Sequence, residues 1–192
     1  SLTGAGHTVN FNAGLSAPGG IGMANTAISV PAGSVSFYVA PPTVDTDLQA
    51  FISSNSTVSS LTTLVRADAV AFSDGAKIEG LQAGTAITLA GPTGNLTSFT
   101  DTTATGALSA PNGRWLVYAD DPYDVRVQLG APLSAALQFT QHRALHGDPG
   151  VTVAAAGNGL MSALQPSLAL SGPTVNVSKT YDGTVFAANI ES

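Results

Sequence analysis

The sequence predicts an all-β protein whose short strands stack as the coils of a β-solenoid, and three observations lead there. Only 9% of the 192 residues are charged, against roughly a quarter in an ordinary globular protein. A helical protein would need Glu, Lys, Arg and Gln on its wet faces, and those are scarce here. Hydrophobic residues make up 44% but aromatics only 6%, with 21 Gly and 11 Pro, so the apolar content is small and β-tolerant and is broken by turn formers. Finally, apolar and polar residues alternate with period two in stretches of about five residues, the usual strand length. A β-sandwich would also bury such strands but usually carries more aromatics and surface charge. Solenoid coils take small residues at their corners and tolerate Ser, Thr and Asn ladders, so the coiled stack is the better fit.

The elements follow in order. Thr8-Val9-Asn10-Phe11-Asn12 alternates and is interrupted by Gly14 and the Pro18-Gly19-Gly20 turn. Thr26–Val30 stops at Pro31, and Ser34–Val39 ends at Pro41-Pro42, with Val35, Phe37 and Val39 on one face and the serines and Tyr38 on the other. Thr46–Ile52 has apolar residues at helical spacing after an Asp, which predicts a short helix or an excursion from a coil. With the Ser/Thr-rich run after it, residues 41–63 read as an inserted loop. Ala69–Phe72, Lys77–Glu79, Thr85–Leu89 and Asn95–Phe99 are the next strand candidates, separated by Ser73-Asp74-Gly75, Gly80 and Gly91-Pro92-Thr93-Gly94. Similar spacings recur, Val9 to Ile28 and Ile78 to Leu96, without a strict repeat. Gly113–Tyr118 is a strong strand holding the single Trp, and Asp120-Asp121-Pro122-Tyr123 turns the chain. Leu133–Leu145 is less regular, Gly147-Asp148-Pro149-Gly150 is a turn, and Ala154–Gly159 is small and flexible. Leu168–Leu170 and Val175–Val177 are the last strand candidates. The expected organisation is a shaft over 1–118, a transition or capping region over 119–165, and terminal strands or a separate β-module over 166–192.

Composition also limits the partners. Six basic and twelve acidic residues give a net charge of −6, which disfavours nucleic acid and anionic membrane surfaces, since both need clustered Lys and Arg. No apolar run reaches the ~20 residues of a membrane span. Cysteine is absent, which suits a chain exported unfolded. The opening Ser1–Gly6 lacks the basic and apolar regions of a signal peptide, which points to an internal fragment.

The stretch from Gly113 to Gly159 resembles a segment of filamentous-haemagglutinin-type exoproteins of two-partner secretion systems. The matching pieces are Gly-Arg-Trp-Leu-Val-Tyr at 113–118 with Asp121-Pro122, Phe139–Gly147, and Gly157-Asn158-Gly159. His142 and His146 stand where that family favours Tyr. Lys179-Thr180-Tyr181-Asp182-Gly183-Thr184 is similar to the opening of the YDG modules of such adhesins, so 166–192 is expected to start one. The likeness implies a right-handed parallel β-helix with an irregular closing region. It also implies a non-enzymatic stalk on a secreted or bacterial cell-surface adhesin. The implied partners are a receptor on host cells, other bacteria or biofilm matrix, a carbohydrate being one candidate, and an outer-membrane transporter during secretion.

Few residues point to chemistry. His142 and His146, four apart with Asp148 nearby, could present zinc ligands on a helix, but no Cys or Glu joins them and Gly147-Asp148-Pro149 breaks the local structure. Asp120, Asp121 and Asp124 offer the hard oxygens calcium prefers, yet EF-hand and β-roll spacings are absent, and an Asp-Pro turn explains them. Asp45 with Asp47, or Asp120 with Asp121, would be the carboxylate pairs of a polysaccharide-cleaving β-helix enzyme. Such pairs must oppose each other across substrate, and adjacent strand residues point opposite ways. No catalytic residue, cofactor or metal ligand is therefore assigned. Trp115 and Tyr118 are candidate glycan contacts, the alternative being that Trp115 anchors the last coil. Asn55, Asn95 and Asn176 lie in Asn-x-Ser/Thr sequons, and some members of the resembled family are glycosylated at such sites. A polysaccharide-cleaving enzyme and a carbohydrate-binding module stand as rival functions.

Overall fold

The computed structural model describes residues 6–13, 20–40, 50–124, 126–153 and 156–164. Its strands are β1 (Thr8–Ala13), β2 (Gly20–Ala24), β3 (Ala27–Val39), β4 (Ala50–Ser54), β5 (Thr57–Arg66), β6 (Ala69–Ser73) and β7 (Lys77–Gly80). They continue as β8 (Gly84–Ala90), β9 (Ser98–Asp101), β10 (Leu108–Ser109), β11 (Gly113–Ala119) and β12 (Val127–Gln128). A helix, α1 (Gly130–Ala136), precedes β13 (Phe139–Gln141) and β14 (Gly159–Ser162).

Two sheets result. One runs β1-β3-β5-β8-β11-β14-β13, with β7 and β10 attached beside β5; the other runs β12-β9-β6-β4-β2. Every pairing among the described strands is parallel. The sheets of a β-sandwich are antiparallel, so that alternative is set aside. The chain visits the sheets in turn, and each strand pairs with one from a neighbouring pass. Gly20, Ala50, Ala69 and Ser98 stand in one column although the chain lengths between them differ. Parallel pairing constrains the register of each pass but leaves the corners free to vary in length, which is why no strict repeat appears in the sequence.

Alternation decides which side chains meet. Val35, Phe37 and Val39 are buried while Ser34, Ser36 and Tyr38 are only partly covered. From the second sheet Phe51, Val70, Phe72 and Phe99 point into the same core. There the rings of Phe11, Phe37, Phe51, Phe72 and Phe99 form a continuous series with centroids 4.9–6.1 Å apart. Few aromatics are needed because the parallel pairing aligns them, Phe11 and Phe37 stacked and the later pairs tilted or edge-on.

The expected insertion over 41–63 is corrected for its second half. Residues 50–54 and 57–63 lie in β4 and β5, and β5 is central, pairing with β3, β7 and β8. The helical spacing at 46–52 loses to period two: Phe51 is fully buried, Ile52 exposed and Ser53 buried. Residues 41–49 lie outside the described part. The run after Ser53 looks like a loop because its inward positions are hydroxylated. Ser60 Oγ donates to the Thr62 carbonyl (2.8 Å) and lies 2.8 Å from Thr63 Oγ1, and Ser56 Oγ donates to the Ser54 carbonyl (2.9 Å). Buried hydroxyls with partners are tolerated in a core. The break expected at Pro31 is also absent. β3 runs through it with a register shift between Val30 and Ser34, and a bulge accommodates a proline in a strand. β2 was not foreseen, being glycine-rich. A Cβ at Gly20 would collide with the Ala50 carbonyl, so the close pairing of β2 with β4 requires the glycine.

The parallel sheets also extend past the expected shaft boundary at 118. β14 pairs with β11, and β13 pairs with β14, so the last strands in space are in the order β11-β14-β13. The chain goes out to β13 and returns to fill the gap. Around this end α1 buries Leu133, and a second small core forms from Ala90, Leu116, Tyr118, Ala144 and Met161.

Candidate functional site

The closing end gathers most of the residues that the sequence singled out. β11 leads into a turn in which the Asp121 carboxylate accepts the Tyr123 backbone N–H (2.9 Å). The Asp124 carboxylate accepts the Arg126 N–H (2.8 Å) and two guanidinium N–H groups (3.0 and 2.7 Å). Those bonds hold the Asp124 carboxyl down at about 2. Partial burial pushes Asp120 up, against the opposing pull of Arg126. Two of the three carboxylates are thus spent on turning the backbone. Among the described residues no three His, Cys, Asp or Glu side chains come together as metal ligands. Asp45 and Asp47 lie outside the described part.

Beside this turn is a hollow of about 280 Å³. Its apolar lining residues are Val127, Leu129, Leu137 and Leu160, and Ser134, Thr140 and Tyr123 also line it. Tyr123 is 69% exposed. Its ring lies 6.2 Å from that of His142 at 25°, and His142 Nδ1 is 3.1 Å from the Leu164 carbonyl oxygen, which fixes the imidazole.

Trp115 and Tyr118, the sequence's candidate glycan contacts, are 1% and 8% exposed and cannot offer a platform. Trp115 belongs to the main core, and Tyr118 packs in the second one, edge-on to His146 at 5.0 Å. In β11 both faces of the strand are covered, so alternation does not tell inside from outside there. Tyr123 is the exposed aromatic that sequence reasoning passed over. Its signal was its place directly after the Asp-Pro turn, where a large ring has little to pack against. His142 and His146 sit in a bent segment and not on a helix, so their spacing by four does not bring them to one face.

The three sequons differ. Asn55 is exposed at a corner with φ +45°, and its Nδ2 donates to Asn25 Oδ1 (2.7 Å). Asn95 is buried, and its amide is fully engaged. Nδ2 donates to the carbonyls of Ala119 and Ala144 (3.0 Å each), and Oδ1 accepts the His146 N–H (2.8 Å). The folded protein does not present Asn95 for modification. Asn176 lies outside the described residues, as do the Tyr-Asp-Gly motif and the module expected over 166–192.

The Gly157-Asn158-Gly159 element serves as a clamp. Asn158 Oδ1 accepts the Trp115 N–H (3.1 Å), its Nδ2 donates to the Ala136 carbonyl (3.2 Å), and its own N–H donates to Gln138 Oε1 (2.9 Å). A Cβ at Gly157 would meet Gln138 and one at Gly159 the ring of Phe139, so the flanking residues must be small. The Asn158 amide thereby ties α1 to β11, and its backbone N–H adds the approach to β13.

No protein-family profile matches this chain, and no curated protein or solved structure matches it either.

Proposed function

We propose that the chain is a segment of a stalk, a right-handed parallel β-helix in a large secreted bacterial adhesin, and that it acts as a spacer and not as a catalyst. The observation that carries this reading is the alternation of the chain between two parallel sheets sharing one core. Such an arrangement lengthens with each pass through nearest-neighbour contacts alone. The resemblance of residues 113–159 to haemagglutinin-type exoproteins supports the same reading. It supplies the expected setting: passage through an outer-membrane transporter, then display at the cell surface towards host cells, other bacteria or biofilm matrix.

A spacer must bear load along its stack. Single-molecule pulling between the termini should therefore release the chain in successive steps of roughly 30 residues, about 100 Å each. Release of the whole length in one low-force event would overturn the reading. So would turnover of any polysaccharide in a glycan panel that the Asp121→Asn protein loses.

The hollow beside Tyr123 favours a second reading, a carbohydrate contact at the closing end. An exposed ring beside hydroxyl-bearing side chains and a small apolar hollow suits a neutral sugar, whose C–H face stacks on aromatics and whose hydroxyls need partners. Binding on a glycan array that Tyr123→Ala abolishes would support it; an array with no binding at all would dismiss it.

A further inference from the structure

We propose that the closing loop, residues 142–148, is an acid-released latch held shut by the uncharged imidazole of His146. The proposal does not depend on the spacer reading. The loop joins the stack through few bonds. The Ala144 N–H donates to the Ser162 carbonyl (2.7 Å), the Ala144 carbonyl accepts from Asn95, and the His146 N–H donates to Asn95 Oδ1. At its start His142 lies beside Tyr123 with Nδ1 3.1 Å from the Leu164 carbonyl oxygen, the Ala144 methyl sits in the second core, and the His146 ring is edge-on to Tyr118. In that position His146 Nδ1 is buried and has no hydrogen-bond partner, alone in this respect among the side-chain polar atoms of the described residues.

A neutral imidazole can leave that nitrogen as an unused acceptor at modest cost. An imidazolium cannot, because both ring nitrogens then carry N–H groups and the charge has left water. The surroundings offer no relief. From β11 the titratable neighbour is the Tyr118 phenol, whose own titration burial pushes upward. From β5 the charge that reaches the ring is Arg66, which is positive and committed elsewhere. It donates to the Gly91 and Pro92 carbonyls, and its guanidinium lies 5.5 Å from the Tyr38 ring. The loop's own charged residues are Arg143, again positive, and Asp148, whose carboxylate accepts the Gly150 N–H (2.8 Å). Burial first and Arg66 second hold the imidazole below its ordinary titration.

The sign follows from linkage. The opened loop binds the proton more readily than the closed one, so closure is favoured in full above the ordinary histidine range and weakens as pH falls through it. One proton sets the limit, about a tenfold rise in the opened fraction per pH unit between the two titration points. Opening would uncover Tyr118, Leu116 and the amide of Asn95 at the end of the larger sheet.

Hydrogen exchange of the intact chain between about pH 7.5 and 5 tests this. The expected result is that the Ala144 and His146 amides lose protection as the solution is acidified, after correction for intrinsic exchange, while β5 and β8 keep theirs. His146→Phe retains a ring against Tyr118 and should make the loop's protection independent of pH, and His142→Gln should leave the wild-type response intact. The same pH response in His146→Phe would refute the latch. If that variant fails to fold, the imidazole resonances of the wild-type chain decide the matter. A His146 that titrates at or above the free-histidine value, about 6.5, overturns the proposal, and one that titrates below it together with the loss of protection upholds it.

Discussion

Replacing Asn95 by Ala should loosen the closing end and cost about 2–4 kcal/mol, a figure set by which partners the side chain leaves behind. Three groups lose a bond. The Ala119 carbonyl keeps a second donor, the Ala163 N–H at 3.3 Å, and suffers least. The His146 N–H is only partly buried and can turn to water. The Ala144 carbonyl belongs to a residue with no exposure, and no other donor is at hand in the loop. An unsatisfied buried acceptor costs about 1–3 kcal/mol, and the two milder losses add about 1 kcal/mol. Asn95→Asp discriminates between this account and simple loss of volume. It keeps the shape but turns two donated bonds into contacts between a carboxylate and two carbonyl oxygens, so it should be worse than Ala. Urea unfolding followed through the single, buried Trp115 gives both values. An Ala variant within about 0.5 kcal/mol of wild type, or an Asp variant as stable as the Ala variant, would refute the assignment of Asn95 as the tie.

Phe72→Ala should cost about 3–5 kcal/mol in the same assay, because the ring is 1% exposed between Phe51 and Phe99, with centroids 6.0 and 6.1 Å away. Asp101→Ala should cost about 2–4 kcal/mol: its buried carboxylate accepts the N–H groups of Thr103 (2.9 Å) and Ala107 (3.0 Å) and the Thr103 hydroxyl (2.7 Å), and hydrogen exchange should show the 102–107 corner opening first. The two carboxyl shifts near the Asp-Pro turn should leave opposite marks in an acid titration of stability. Asp124, held low by Arg126, stabilises above the free-aspartate value and loses that contribution as pH falls from there towards about 2, so Asp124→Asn should flatten the profile in that window. Asp120, pushed up by burial, is ionised at a cost near neutrality; Asp120→Asn should therefore stabilise at pH 7, and its advantage should vanish below the free-aspartate range.

The strands that the sequence revealed are those in which alternation and apolarity agree: β1, both halves of β3 on either side of Pro31, β6, β7, β8 and β11. Three that it concealed, β5, β2 and β4, each break one of the two signals for a physical reason. β5 buries Ser60 and Thr63 as a mutually bonded pair, so its core face reads as polar. β2 approaches β4 so closely that Gly replaces a side chain. In β4 the helical spacing of Leu48, Phe51 and Ile52 competed with a period of two that only the neighbouring strands could enforce. The candidate site was legible as a region but not as residues. The Asp-Pro turn and the Gly-Asn-Gly element mark where the chain changes character. Burial of Trp115 and Tyr118 depends on α1, β13 and β14 covering the last strands, and nothing within the Gly113–Tyr118 stretch reports that.

The body and the closing end also differ in how far their polar bonds reach, and this sets where substitution does most harm. In the body, corner and strand side chains bond to the equivalent place on the next pass, as Asn55 does to Asn25 and Thr62 to Ser34 (2.6 Å). Losing one of these leaves backbone pairing on both sides intact, and the damage stays within a pass. At the closing end the order β11-β14-β13 has no such redundancy. Asn95 bonds across 49 residues to Ala144, which lies outside any strand, and Asn158, itself just outside β14, bonds across 43 residues to Trp115 in β11. Among the described strands β13 is a three-residue edge that pairs with β14. A change there releases several segments together, so destabilising substitutions of equal local cost should unfold the closing end before the body, and the two amides should govern how firmly the end of the stack stays sealed.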